Sequence, residues 1–149
     1  MENNRPLLEL VNLKKYFDVS RGSLFKKEKK YLTAVDDVSF EIYKGETFGL
    51  VGESGCGKST LGRCIVRLYE PTGGSIIYDG EDISNISQKE MLHYRKRLQM
   101  IFQDPYASLN TRLTVQEIIG EGIETHNIYT GKEKQEKIYD LLTTVGLKK

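Results

Sequence analysis

Apolar and polar residues alternate near the start of the chain and give way to a helical period further on. Leu7 to Leu13 (LLELVNL) predicts a strand, and Val38-Ser39-Phe40-Glu41-Ile42 alternates at period two, the mark of a half-exposed strand. Between them the charged stretch from Ser20 to Lys30 (SRGSLFKKEKK) predicts the tip of a β-hairpin whose return arm begins near Tyr31. Lys44-Gly45-Glu46 turns the chain into Thr47-Phe48-Gly49-Leu50-Val51, an apolar run that predicts a buried strand. Leu61, Cys64, Ile65 and Leu68 then fall at i, i+3, i+4 and i+7, one face of a helix. Pro71-Thr72-Gly73-Gly74 ends that period, Ser75 to Tyr78 reads as a short strand, and Asp79-Gly80 is a turn dipeptide.

Three helix starts follow, each marked by the pattern [ST]-x-x-E of a capping box: Ser87 with Glu90, Thr114 with Glu117 and Thr130 with Glu133. Leu98 to Gln103, between the first two, predicts a further strand. The last helix carries Ile138, Leu141, Leu142 and Val145 on one face, with Gly146 as its C-terminal cap. No internal repeat or low-complexity tract interrupts this order.

The chemistry sits where the strand period meets the helical one. Gly52-Glu53-Ser54-Gly55-Cys56-Gly57-Lys58-Ser59-Thr60 is a complete G-x-x-x-x-G-K-[ST] loop, between a predicted strand and a predicted helix. Glycines let successive N–H groups curl inward, making an anion nest at a helix N-terminus. In such a loop Lys58 reaches the β- and γ-phosphates of a nucleoside triphosphate and the Ser59 hydroxyl ligands Mg²⁺. Cys56 reads as a small residue tolerated by the loop, since no His–Asp partnership accompanies it to make a nucleophile.

Composition narrows the setting. At 149 residues a single domain is expected, with a core of ordinary size. The 22 Lys and Arg nearly balance 21 Asp and Glu, so overall charge argues for neither nucleic acid nor an anionic membrane as partner. No apolar run approaches the ~18 residues of a transmembrane helix, and Met1-Glu2-Asn3-Asn4 does not open a signal peptide. The expected place is the cytoplasm, and any membrane role comes through a partner. The two cysteines, Cys56 and Cys64, read as reduced thiols, and His93 and His126 lack metal-ligand spacing.

Beyond the loop, several segments together resemble the ATP-binding subunit of ABC transporters. They are the N-L-x-K-x-aromatic pattern ending at Phe17, the A-V-x-x-V-S-F strand from Ala34, the G-E-x-x-G-L-V-G lead from Gly45, and P-T-x-G-x-I-x-Y-D-G from Pro71. Gly52 to Thr60 combined with Gln103-Asp104-Pro105-Tyr106-Ala107-Ser108-Leu109-Asn110 is similar to the oligopeptide/dipeptide (and nickel) importer subfamily. The implied fold is α/β, a P-loop NTPase of the ABC nucleotide-binding type. It has an antiparallel β-subdomain plus a partial α/β core, truncated before the signature motif and Walker B. Residues 1–149 would be the N-terminal part of one such domain.

The resemblance implies ATP and Mg²⁺ as ligands. It places Phe17, with Tyr16 as its neighbour, where the family keeps an aromatic that stacks on adenine, against the plainer alternative of packing. Gln103 falls at the Q-loop glutamine, whose amide oxygen completes the Mg²⁺ shell while its loop feels a transmembrane partner. Tyr106 to Arg112 and the helix from Thr114 border the surface that receives the permease, or form only an exposed loop. The Lys26-Lys27-Glu28-Lys29-Lys30 run touches lipid headgroups or is simply a solvated hairpin tip. The implied partners are transmembrane permease subunits, a second ATP-binding subunit in a head-to-tail dimer, and an extracytoplasmic substrate-binding protein. The implied location is the cytoplasmic side of the plasma membrane, as a peripheral subunit.

Hydrolysis in this family also needs a Walker B strand ending in Asp-Glu, an L-S-G-G-Q signature and a switch histidine, and the 149 residues hold none of them. Ile76-Ile77-Tyr78-Asp79 is followed by Gly80, not Glu. The expectation is therefore an ATP-binding chain with negligible turnover. A non-catalytic ATP-binding remnant stays open beside it. A GTPase is disfavoured by the lack of an N-K-x-D motif, and neither a GTPase nor a small-molecule kinase accounts for the matches at Phe17 and Gln103.

Overall fold

The structure, a computed structural model, describes residues 5–20, 29–104 and 106–147. It divides into two compact units, one over residues 1–100 and one over residues 101–149.

The first unit is built on an antiparallel sheet. Strand β1 (Leu8–Asp18) pairs with β2 (Tyr31–Ile42) as a long hairpin and, on its other edge, with β3 (Gly73–Tyr78), which pairs in turn with β4 (Glu81–Asp82). The β3–β4 turn uses Asp79 and Gly80 at φ 51° and 84°, the two positive values that a two-residue hairpin turn requires. Arg21 to Glu28, with most of the Lys-rich tip, lie outside the described residues, although Val19 still donates to the Lys30 carbonyl at 2.8 Å.

Three register shifts shape the hairpin. Asn12 and Asp37 both take positive φ and are joined by an Asn12 Nδ2 to Asp37 Oδ1 hydrogen bond of 2.9 Å. Further along, Lys15 pairs with Val35 while Tyr16 pairs with Thr33, which leaves Ala34 as an extra residue in β2.

Helix α1 (Lys58–Ile65) lays Leu61 and Cys64 on this sheet, against a core of Leu8, Leu10, Leu13, Val35, Ile76, Tyr78, Ile83 and Met91. Its end is earlier than the apolar period predicts. Arg67 takes φ 55°, its amide bonds to the Cys64 carbonyl and that of Leu68 to the Arg63 carbonyl, a Schellman closure that turns Leu68 out to solvent. Arg67 itself is only 3% exposed, and its guanidinium donates to the carbonyls of Ile83 and Ile86, tying α1 to the loop before α2 (Gln88–Tyr94).

Two predicted strands are absent. Thr47 to Val51 is exposed and unpaired, with Val51 91% exposed; its one aromatic anchor is Phe48, stacked on Phe40 at 4.6 Å. Leu98 to Gln103 is likewise irregular, and Ile101 is 95% exposed. A strand needs a neighbour to satisfy its N–H and C=O groups. Among the described residues no strand lies beside either run.

The second unit holds a short 3₁₀ turn (Tyr106–Ser108), α3 (Val115–Thr125) and α4 (Gly131–Thr144), with Ile123, Ile138 and Leu142 buried between the two helices. Leu141 and Val145 of the predicted apolar face are exposed. Gly146, at φ 80°, closes α4 with a Schellman pair, its amide on Thr143 and that of Leu147 on Leu142. Both earlier capping boxes are made, Ser87 with Glu90 and Thr114 with Glu117. The third is not: Gly131 enters α4 at φ 53°, and Thr130 makes no side-chain cap. Among the described residues no helix is long and apolar enough to cross a membrane.

Candidate functional site

The glycine-rich loop from Gly52 to Thr60 leads directly into α1. Gly57 is the N-cap of that helix and sits at φ 100°, a left-handed conformation that leaves no side chain to cap the first turn. The other helices of seven or more residues in the first unit and the start of the second are capped by acidic boxes, whereas the first turn of α1 has no acidic residue. Its free N–H groups and the positive end of its dipole are therefore open to an anion.

Gly57 is also required by space. A Cβ there would stand 2.1 Å from the carbonyl oxygen of Ala34, the extra residue of β2. The hairpin backbone thus passes close against the loop at Gly57. A cavity of about 320 Å³ lies along this join, touching Ala34, Val35, Cys56, Gly57, Lys58 and Leu61.

Lys58 folds its side chain back into the loop. Its ammonium donates to the carbonyls of Gly52 at 2.7 Å and Glu53 at 2.5 Å, and lies 3.5 Å from Cys56 Sγ. Cys56 closes the loop from the other side, its amide donating to the Glu53 carbonyl at 3.4 Å. Glu53, Ser54, Gly55, Cys56 and Ser59 are exposed, and Lys58 and Thr60 half-buried. The ammonium is held by neutral carbonyls, which make weaker hydrogen bonds than the charged oxygens of an anion do.

Tyr16 and Phe17 go separate ways, as successive strand residues do. The Tyr16 hydroxyl donates to Asp36 Oδ1 at 2.5 Å, and that bond to a carboxylate raises its pKa above the usual tyrosine value. Phe17 is half-buried and meets Tyr69 edge to face, ring centroids 5.4 Å apart. Tyr16 thus has a carboxylate partner and Phe17 an aromatic one. Gln103 is exposed on a bend of the second unit. Among the described residues no cluster of three or more His, Cys, Asp or Glu side chains could hold a metal ion.

Sequence reasoning missed Lys15 and Tyr69. The Lys15 ammonium lies over the Phe17 ring, 4.9 Å from its centroid, and over that of Tyr69 at 5.9 Å. A Lys-x-aromatic spacing on one strand is a weak signal for the first; nothing in the sequence marks the second.

The profile of the ABC transporter family matches residues 35–149, well over half of the chain and the whole of the loop. The chain belongs to the ABC transporter family. Its fold agrees with this: the ATP-binding cassette MJ0796, solved as a dimer in a post-hydrolysis state bound to ADP and Pi, superposes with a TM-score of 0.70 at 24% identity. That match covers 91% of this chain and 56% of MJ0796. CbiO1 from Clostridium perfringens, part of the ABC transporter complex cbiONQ, gives 0.66 at 24% identity, over 95% of this chain and 51% of its own.

Sequence relatives within the ABC family are nearer. The chain is 53% identical over 146 residues to the oligopeptide transport ATP-binding protein AppF of Bacillus subtilis, covering 97% of this chain and 44% of AppF. It is 43% identical over 150 residues to the dipeptide transport ATP-binding protein DppF of Lactococcus lactis, covering 99% of this chain and 46% of DppF. The chain thus spans less than half the length of the curated relatives it matches.

Proposed function

We propose that this ABC-family chain is the N-terminal part of the ATP-binding domain of a peptide importer, and that it binds ATP with Mg²⁺ without turning it over efficiently. The observation that carries the reading is the uncapped N-terminus of α1, with the Lys58 ammonium waiting inside the glycine loop in front of it. The likeness to oligopeptide and dipeptide transport ATP-binding proteins supports the peptide class.

In this reading the loop amides from Gly52 to Thr60 cradle the phosphates and Lys58 neutralises the β and γ groups. Phe17 stacks on the adenine. Ser59, exposed on the first turn of α1, fits a magnesium ion held mostly by nucleotide phosphates and water, since the described residues offer no carboxylate cage. Such an ion supplies charge neutralisation to the phosphates when bound. The exposed Tyr106 and α3 region is the proposed permease-facing surface. A second ATP-binding subunit, permease subunits and a substrate-binding protein complete the proposed assembly at the cytoplasmic face of the membrane.

Positioning and charge neutralisation carry most of phosphoryl transfer, and a water-orienting residue completes it. With no Walker B Asp-Glu and no L-S-G-G-Q in the 149 residues, binding is the function assigned to them. Calorimetric titration with Mg-ATP tests it. Saturable binding that Lys58→Ala weakens at least about tenfold is expected, with phosphate release at the buffer rate. Sustained ATPase activity abolished by Lys58→Ala would sink the binding-only part.

A further inference from the structure

The helix that carries Lys58 and Ser59 on its first turn leads, past its Schellman end, to Tyr69. The amides of Leu68 and Tyr69 both donate to the Arg63 carbonyl, at 2.8 and 3.1 Å, so Tyr69 is set by the helix end and not by a free loop. Arg63, still on the helix, lies over the Tyr69 ring, 5.7 Å from its centroid. Tyr69 in turn meets Phe17 edge to face.

The strand side is clamped as firmly. The Thr72 amide donates to the Lys14 carbonyl at 2.8 Å and the Thr72 hydroxyl accepts from the Tyr16 amide at 3.1 Å, gripping β1 on both sides of Lys15. Lys15 then donates its ammonium to the Glu70 carbonyl at 2.8 Å, beneath which it lies over Phe17. The Phe17 ring is thus held from two sides, by the Tyr69 edge and by the Lys15 ammonium.

We propose that Tyr69 and Lys15 are positioning residues for a purine base: they fix the Phe17 ring at a set distance and angle from the phosphate cradle at the other end of α1. The inference rests on the ATP reading, because the orientation of the Phe17 ring matters to binding only if a base stacks on it. An edge-to-face neighbour and a cation on the ring restrain it without touching the nucleotide, so their removal costs base affinity and leaves the phosphate contacts alone.

The test compares Mg-ATP with magnesium tripolyphosphate, which has no base, by calorimetry on the protein and on its Phe17→Ala, Tyr69→Ala, Tyr69→Phe and Lys15→Met variants. Tyr69→Ala and Lys15→Met are expected to weaken ATP about threefold to tenfold and to leave tripolyphosphate unchanged. Tyr69→Phe, which keeps the ring, is expected to bind ATP like the parent protein. Loss of ATP affinity in Phe17→Ala with none in Tyr69→Ala or Lys15→Met overturns the positioning role alone. Equal losses for both ligands overturn it too, since they mark a merely structural effect. No base-dependent loss in Phe17→Ala overturns the stacking reading beneath it. Should Tyr69→Ala fail to fold, Lys15→Met, which removes only the ammonium, decides.

Discussion

Gly57 shows how much one residue settles. It caps α1, opens the first-turn amides and admits the Ala34 carbonyl where no side chain fits. Gly57→Ala combines a left-handed backbone with a clash against main chain, so it is expected to cost more than about 2 kcal/mol, read as a lower urea midpoint. An unchanged midpoint would mean that the loop does not rest on the hairpin bulge. The two cysteines offer a second check at this scale. Cys56 is exposed in the loop, whereas Cys64 is buried and burial pushes its thiol pKa up. One thiol should therefore react quickly with a maleimide, and Mg-ATP should slow it. Equal rates with and without nucleotide count against a nucleotide in that loop.

At the scale of elements, local chemistry that closes within a few residues was legible in the sequence. The boxes at Ser87 and Thr114, the Asp79-Gly80 turn and the Gly146 cap all satisfy their own backbone groups, so the short patterns sufficed. Thr130 carried the same letters and failed, because the left-handed Gly131 changes the approach to the helix. Ser87→Ala and Thr114→Ala are each expected to lose about 1 kcal/mol, and Thr130→Ala less than about 0.5, by urea denaturation. The boxes also carry a pH dependence. Glu90 is held below its usual carboxylate value by the Ser87 hydroxyl and amide, and Glu117 by the Thr114 amide and hydroxyl. A depressed folded-state pKa contributes stability that is fully present above the ordinary glutamate value and is lost as pH falls through the lower, folded one. The penalty for Ser87→Ala should accordingly shrink from neutral pH to about pH 3. A penalty that stays constant would contradict the charged form of the box.

At the scale of the whole molecule, the phosphate loop was legible and its strand was not. Thr47 to Val51 has the composition of a buried strand, but composition only states a need for neighbours, and the described residues supply none. Phe17 could be placed by pattern, with Lys15 two residues before it on β1, while Tyr69 arrives by the path of the chain beyond α1, which no local period encodes. Phe48, Leu50 and Val51 stay exposed in one run and invite association. Concentration-dependent light scattering is expected from the chain alone, reduced by Val51→Lys; scattering that the substitution leaves unchanged would place the sticky surface elsewhere. The central claim is that the Gly52–Thr60 loop holds the phosphates of ATP through Lys58 and the start of α1. Calorimetric titration of Mg-ATP into the protein and into Lys58→Ala tests it most directly. Saturable binding that weakens at least about tenfold in the variant is the predicted result, and equal affinity in the two proteins would contradict it.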